Sequence, residues 1–192
     1  NNVNDVFLYA GGAIMGLIDC FYNQNKIQYY IHTHEQNLGH AATGYARTTN
    51  KPGICIVTSG PGITNMITPM LDAQNDSTPL IVFSGNVKLS DMGTNAFQEA
   101  PATEITKSIT KWSHCVKDVE EMNDVLDTAF RIANYGKKGV VHIDLPKCIL
   151  NNTIENNTIE NNTIEETTYI SYNSVINEKK FSKVSNIINN AK

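Results

Sequence analysis

The chain has 192 residues, 41% of them apolar and 18% charged, with a formal net charge of −4. That content suits one ordinary domain with a tail, and an acidic balance without a basic stripe argues against nucleic acid as a partner. No apolar run approaches the roughly 20 residues that cross a membrane, and the opening NNVNDVFLYAGG lacks the basic and apolar regions of a secretory signal.

In chain order the sequence repeats strand, turn, helix. VFLYA (6–10) reads as a short strand running into Gly11-Gly12, followed by the helical AIMGLIDCFYN. IQYYIHT (27–33) is rich in β-formers and precedes the helix-like EQNLGHAATGYARTT. GICIVTS (53–59) and PLIVFSG (79–85) are nearly continuous apolar runs, as expected for strands covered on both faces. Between them GPG opens ITNMITPMLDAQND, where Pro69 predicts a kink or an early break. SHCVKDV (113–119) reads as an outer strand, EEMNDVLDTAFRIANYG as a helix and GVVHIDLP (139–146) as a last strand. Buried strands alternating with helices predict an α/β, doubly wound, mostly parallel sheet over residues 1–150.

After Cys148 the character changes. NNTIE occurs three times in succession over 151–165, with a period that fits no helix and too little apolar surface to order itself. Residues 151–170 therefore read as a flexible linker, and 171–192 as an amphipathic helix that starts a further domain. A first residue other than methionine and an ending at IINNAK fit a piece of a longer protein. The four cysteines show no CxxC spacing and read as buried apolar fillers in a reducing, cytoplasmic setting. The five histidines show no ligand spacing and read as structural or surface residues.

In open parallel sheets, ligands gather at the carboxyl ends of strands. Four such ends are chemically marked here: YAGGA (9–13), THEQ (33–36), TSGPG (58–62) and SGN (84–86), the last leading into GTNAFQEAP. Taken singly they are weak signals. TSGPGITN is neither a Walker motif nor a GxGxxG fingerprint, and Glu35 alone suits a first-turn carboxylate favoured by the helix dipole.

In combination they are specific. HEQ with GHAATGYAR, then GICIVTSGPGITN, DSTPLIVFSGNV, GTNAFQE and GVVHIDLPK, in unbroken order across residues 5–150, resemble the pyrimidine-binding domain of thiamine-diphosphate enzymes. Among these, the resemblance is to the large catalytic subunit of acetolactate (acetohydroxyacid) synthases. It implies a six-stranded sheet flanked by helices, and thiamine diphosphate as cofactor, with Mg²⁺ and FAD held by domains outside this chain. The glutamate of this motif, here Glu35, would hydrogen-bond a ring nitrogen of the aminopyrimidine and favour the imino tautomer that removes the thiazolium C2 proton. Such a role needs a carboxyl that is shielded from water yet able to share a proton at neutral pH. Gln98 would reach toward the reaction centre, beside Phe97. Gly11, Gly12 and Ala13 match the turn against the active centre, and Thr58, Gly60, Pro61, Gly62 and Asn65 the loop and helix start on the pyrimidine.

The implied reaction is decarboxylation of pyruvate and its joining to a second 2-keto acid, toward branched-chain amino acids. Homodimers or higher homo-oligomers and a regulatory subunit are the implied partners. We expect the fragment alone to be inactive. The small-residue face Gly39, Ala42, Thr43 and Ala46 is assigned to an intersubunit contact, with packing inside the domain as the alternative. Three departures bear on substrate choice: Ala10 replaces the usual proline, Asn86 and Lys88 replace glutamine and proline of a segment that lines the access channel, and Asn95 replaces aspartate. Two other readings stay open, another thiamine-dependent 2-keto acid decarboxylase, oxidase or carboligase, and a non-catalytic interaction module.

Overall fold

The computed structural model describes residues 3–22, 24–152 and 178–191. Six strands form one all-parallel sheet: β1 (Asp5–Leu8), β2 (Gln28–Ile31), β3 (Gly53–Val57), β4 (Leu80–Asn86), β5 (Trp112–Cys115) and β6 (Val140–Pro146), in the order β2-β1-β3-β4-β6-β5. The helices are α1 (Met15–Tyr22), α2 (Glu35–Thr49), α3 (Pro61–Asn65), α4 (Ile67–Asn75), α5 (Ala102–Thr106), α6 (Met122–Asn134), α7 (Lys147–Leu150) and α8 (Glu178–Asn190).

Both faces of the sheet are covered, and the two-residue period of the strands shows why the central runs are apolar throughout. Ile54, Ile56, Ile81, Phe83, Val141 and Ile143 point to one side, under Phe21 of α1 and the Val125, Ala129 and Ala133 stripe of α6. Cys55, Val57, Leu80, Val82 and Val140 point to the other, under Leu38 and Ala42 of α2, Ile63 of α3 and Met70 and Ala73 of α4. Each such aliphatic side chain contributes about 1.5–3 kcal/mol on full burial.

The expected break near Pro69 falls at Met66, which separates α3 from α4. Pro69 has no N–H to offer the carbonyl of Asn65, so one continuous helix would lose a rung at that point. The outer strand is shorter than the predicted 113–119. Val116 N still donates to Asp144 O, but Asp118 then caps the next turn in a capping box with Glu121.

Two expectations need correction. The small-residue face of α2 is buried inside the domain: a Cβ on Gly39 would lie 2.5 Å from Pro69 Cγ and 3.1 Å from Met66 Cε, so small residues there let α4 and the turn before it approach α2. Cys20 is exposed on α1, with its thiol donating to Gly16 O, whereas Cys55 is the buried filler; all four cysteines are free.

The chain divides into two compact units, Asn1–Ile154 and Glu155–Lys192. Most of the NNTIE linker, and the residues up to 177, lie outside the described residues. In the second unit α8 exposes Ile187 and Ile188.

Candidate active site

The chain runs from β1 out to β2 and returns to place β3 on the other side of β1, so the strand order reverses between β1 and β3. A crevice opens at the carboxyl ends of strands at such a reversal. The loops that follow β1 and β3 meet there. A Cβ on Gly11 would stand 2.3 Å from Thr58 Cβ, and Ala13 N donates to Thr58 Oγ1 at 3.4 Å. Gly11 is therefore required by the close approach of the two loops.

Glu35 opens α2, four residues past the end of β2. His34 caps the helix in extended backbone, its Nδ1 accepting from Gln36 N at 3.1 Å. Only 5% of Glu35 is exposed, so it is not the solvated first-turn carboxylate that its position alone suggests. The α3 helix crosses it, and Asn65 Nδ2 donates to Glu35 Oε2 at 2.9 Å. Gly60 makes that crossing possible: with φ 55° and ψ −111° it turns the chain sharply out of β3, and Pro61 then starts α3 at a position that has no use for an N–H.

Gly60 also receives the third loop. A Cβ there would lie 2.6 Å from Gln98 O, so the segment that carries Phe97 and Gln98 rests on the loop from Thr58 to Gly62. Gly93, Asn95 and Gln98 all have positive φ (81°, 58° and 57°), a conformation that disfavours a non-glycine residue by about 1–2 kcal/mol. Phe97 stands 88% exposed. The structure thus brings Gly11 and Ala13 onto Thr58, Asn65 onto Glu35 and the Gln98 peptide onto Gly60, while Phe97 is exposed on its loop.

A polar cluster on β4 and β6 went unseen in the sequence. Ser84 Oγ donates to Asp144 Oδ1 at 2.6 Å and lies 2.8 Å from His142 Nε2, while Asn86 Nδ2 donates to Asp144 Oδ2 at 2.6 Å. His142 Nδ1 meets the hydroxyls of Thr106 and Ser113 at 2.8 and 2.9 Å. Because Asp144 takes the one proton of Ser84, the imidazole must donate through Nε2. The set has the composition of a nucleophilic triad but not its wiring, and Ser84, His142 and Asp144 are all sealed from solvent. Burial pushes His142 down to about 3 and Asp144 up to about 6, the latter against hydrogen bonds from Ser84, Asn86 and Cys115. Burial, then the Asp144 charge, push the Cys115 thiol up to about 12. The signal available beforehand was polar residues two apart, Ser84 with Asn86 and His142 with Asp144, in neighbouring apolar strands. Asn86, expected along an access channel, is instead 4% exposed and turned onto Asp144, because a shorter amide at a buried strand end finds its partner on the next strand.

This end of the sheet offers a shielded carboxyl, Glu35, held by the helix that follows the Thr58–Gly62 turn, a chemistry that suits a ring nitrogen of a heteroaromatic group. Its loops 9–13 and 58–65 contain no lysine or arginine to neutralise a diphosphate. Among the described residues no group of three or more His, Cys, Asp or Glu side chains is placed to hold a metal ion. The donor set fits the pyrimidine half of thiamine diphosphate.

Comparison with known proteins agrees with this chemistry. The family described as "Thiamine pyrophosphate enzyme, N-terminal TPP binding domain" matches residues 1–105. The mitochondrial acetolactate synthase catalytic subunit of Saccharomyces cerevisiae is 49% identical over 157 residues, covering 80% of this chain and 23% of that protein. The mitochondrial acetolactate synthase of Schizosaccharomyces pombe is 48% identical over 155 residues (81% and 23%), and the chloroplastic enzyme of Arabidopsis thaliana 45% over 147 residues (77% and 22%). The chain thus spans less than a quarter of the length of these curated relatives.

Proposed function

This chain belongs to the thiamine pyrophosphate enzyme family, as its N-terminal TPP-binding domain, and from that premise we propose that it is the pyrimidine-holding part of an acetolactate synthase. The complete enzyme would decarboxylate pyruvate and join the remaining fragment to a second 2-keto acid, toward branched-chain amino acids. The observation that carries this reading is the buried carboxyl of Glu35 at the sheet's reversal point, held by Asn65.

Thiamine diphosphate, when bound, supplies an acidic ring C–H whose loss gives the carbon nucleophile for a keto group. Glu35 serves that chemistry by sharing a proton with the aminopyrimidine. Asn65 donates to Oε2, which leaves Oε1 as the oxygen that carries the shared proton. The loops Gly11–Ala13 and Thr58–Gly62 would hold the pyrimidine and exclude water from it, so that Glu35 would share its proton with the cofactor rather than with solvent. Gln98, on the loop that rests on Gly60, orients the 2-keto acid. Mg²⁺, the diphosphate and FAD are assigned to the rest of the enzyme, together with a homodimeric or higher assembly and a regulatory subunit. A cytoplasmic location, read from the unpaired cysteines, belongs to the same proposal.

The test uses the complete protein with pyruvate, thiamine diphosphate and Mg²⁺. Acetolactate should form, and Glu35→Gln should bind cofactor while turnover falls by about two orders of magnitude or more. Near-normal turnover in that variant would remove Glu35 from the mechanism. Release of acetaldehyde as the sole product would point to a decarboxylase instead.

A further inference from the structure

Resting on the reading just given, we infer that Glu99 is a positioning residue, a clasp that holds residues 93–98 in the shape that sets Gln98 on the Thr58–Gly62 loop. The segment leaves β4 at Asn86 and returns to the core at Ala100. In between it contains three left-handed residues in six, Gly93, Asn95 and Gln98. Such backbone persists only where surrounding contacts hold it. The contact that spans it is Glu99, whose Oε1 accepts from Gly93 N and whose Oε2 accepts from Ala96 N at 3.0 Å. One carboxylate thus closes the loop on itself through two charge-assisted bonds, and Glu99 N completes the turn by donating to Ala96 O at 2.9 Å. At its far end the Gln98 peptide rests against Gly60.

The clasp does not hold up the core. Gly93, Thr94, Asn95, Phe97 and Gln98 are exposed, so opening the loop would empty no packed volume. What it changes is where the Gln98 side chain points, and in the proposed reaction that bears on engagement of the 2-keto acid rather than on proton exchange at Glu35. Loss of Glu99 therefore has a signature that a scaffold residue lacks: local opening with a change in substrate affinity, at unchanged global stability.

Amide exchange of this chain by NMR reads the first part. In Glu99→Ala the Gly93 and Ala96 amides should exchange about tenfold faster or more, while amides of β3 and β4 and the urea midpoint stay put. In the complete protein, Glu99→Ala should raise KM for pyruvate about tenfold, with kcat within about threefold and thiamine diphosphate affinity unchanged. Glu99→Gln, which keeps one acceptor oxygen, should recover part of both effects. Unchanged exchange at Gly93 and Ala96, or fast exchange with an unchanged KM, would overturn the inference. If the wild-type complete protein turns over no 2-keto acid with thiamine diphosphate, the functional reading falls, and amide exchange alone decides whether Glu99 is the clasp.

Discussion

The side-chain amide of Asn65 reaches Glu35 Oε2 at 2.9 Å and joins the last residue of α3 to the first residue of α2. Thirty residues apart in sequence, the two meet because Gly60 turns the chain so that α3 lies over the start of α2. Removing the donor leaves a buried carboxyl without this partner. Asn65→Ala is expected to lower stability by about 1–3 kcal/mol in urea denaturation of this chain. Asn65→Asp, which sets a second carboxylate against the first, should lower it at least as far. An unchanged midpoint in both variants would mean that Glu35 does not depend on Asn65.

The two glycines that follow β1 should respond differently to an added methyl. A Cβ on Gly11 would stand 2.3 Å from Thr58 Cβ, whereas one on Gly12 would meet nothing within 4 Å. Gly11→Ala should therefore destabilise by about 1–3 kcal/mol or more, from overpacking against the buried, branched side chain of Thr58. Gly12→Ala should be neutral, or stabilising by up to about 1 kcal/mol through the unfolded chain. Equal effects of the two changes would contradict the described contact between the loops.

His142 and Asp144 act on acid stability in opposite directions. The folded-state value of His142, about 3, lies below its ordinary 6.5, so the unfolded chain takes up the proton first and stability falls with pH through that interval. The folded-state value of Asp144, about 6, lies above its ordinary 3.8. Its contribution is full below 3.8 and is lost as pH rises through 6. Between about pH 7.5 and 4.5 the histidine removes roughly 3 kcal/mol and the aspartate returns roughly 2 kcal/mol. Asp144→Asn should therefore show about 2 kcal/mol more acid destabilisation than the parent chain over that interval, measured by urea midpoints at the two pH values. Parallel pH profiles would show that Asp144 stays ionised throughout.

By itself the chain should bind thiamine diphosphate only at millimolar concentration or above. One ring face and one hydrogen bond worth about 0.5–3 kcal/mol stand against an association cost of at least roughly 4 kcal/mol. Loops 9–13 and 58–65 bring no lysine or arginine to the diphosphate. Titration calorimetry with cofactor and Mg²⁺ measures this directly, and a micromolar constant would require a diphosphate site within these residues.

Much of the architecture was legible because burial on both faces leaves an unmistakable trace: GICIV and LIVF can sit only in the middle of a covered sheet. The turn chemistry at Gly11 and Gly60 was legible too, since glycine pairs at strand ends have few other uses. The small-residue face of α2 misled, because spacing reveals that something approaches closely but not what. It was Pro69, from the same domain. The cluster around Asp144 stayed hidden for a different reason. Ser84 pairs with Asp144 in the register of β4 on β6, and one sequence does not state which strands are neighbours. Asn86 was misplaced on the same account, its partner being two crossovers away along the chain.

The sheet narrows from its middle outward. β4 and β6 run for seven residues each, β3 for five, and the rim strands β2 and β5 for only four. A rim strand bears a row of unused backbone donors and acceptors, and a long, flat one recruits further chains edge to edge. Four-residue rims offer too few rungs to hold a stranger in register. The taper is thus a built-in guard against fibrous stacking, placed where the apolar Ile31 is 66% exposed and the need is greatest.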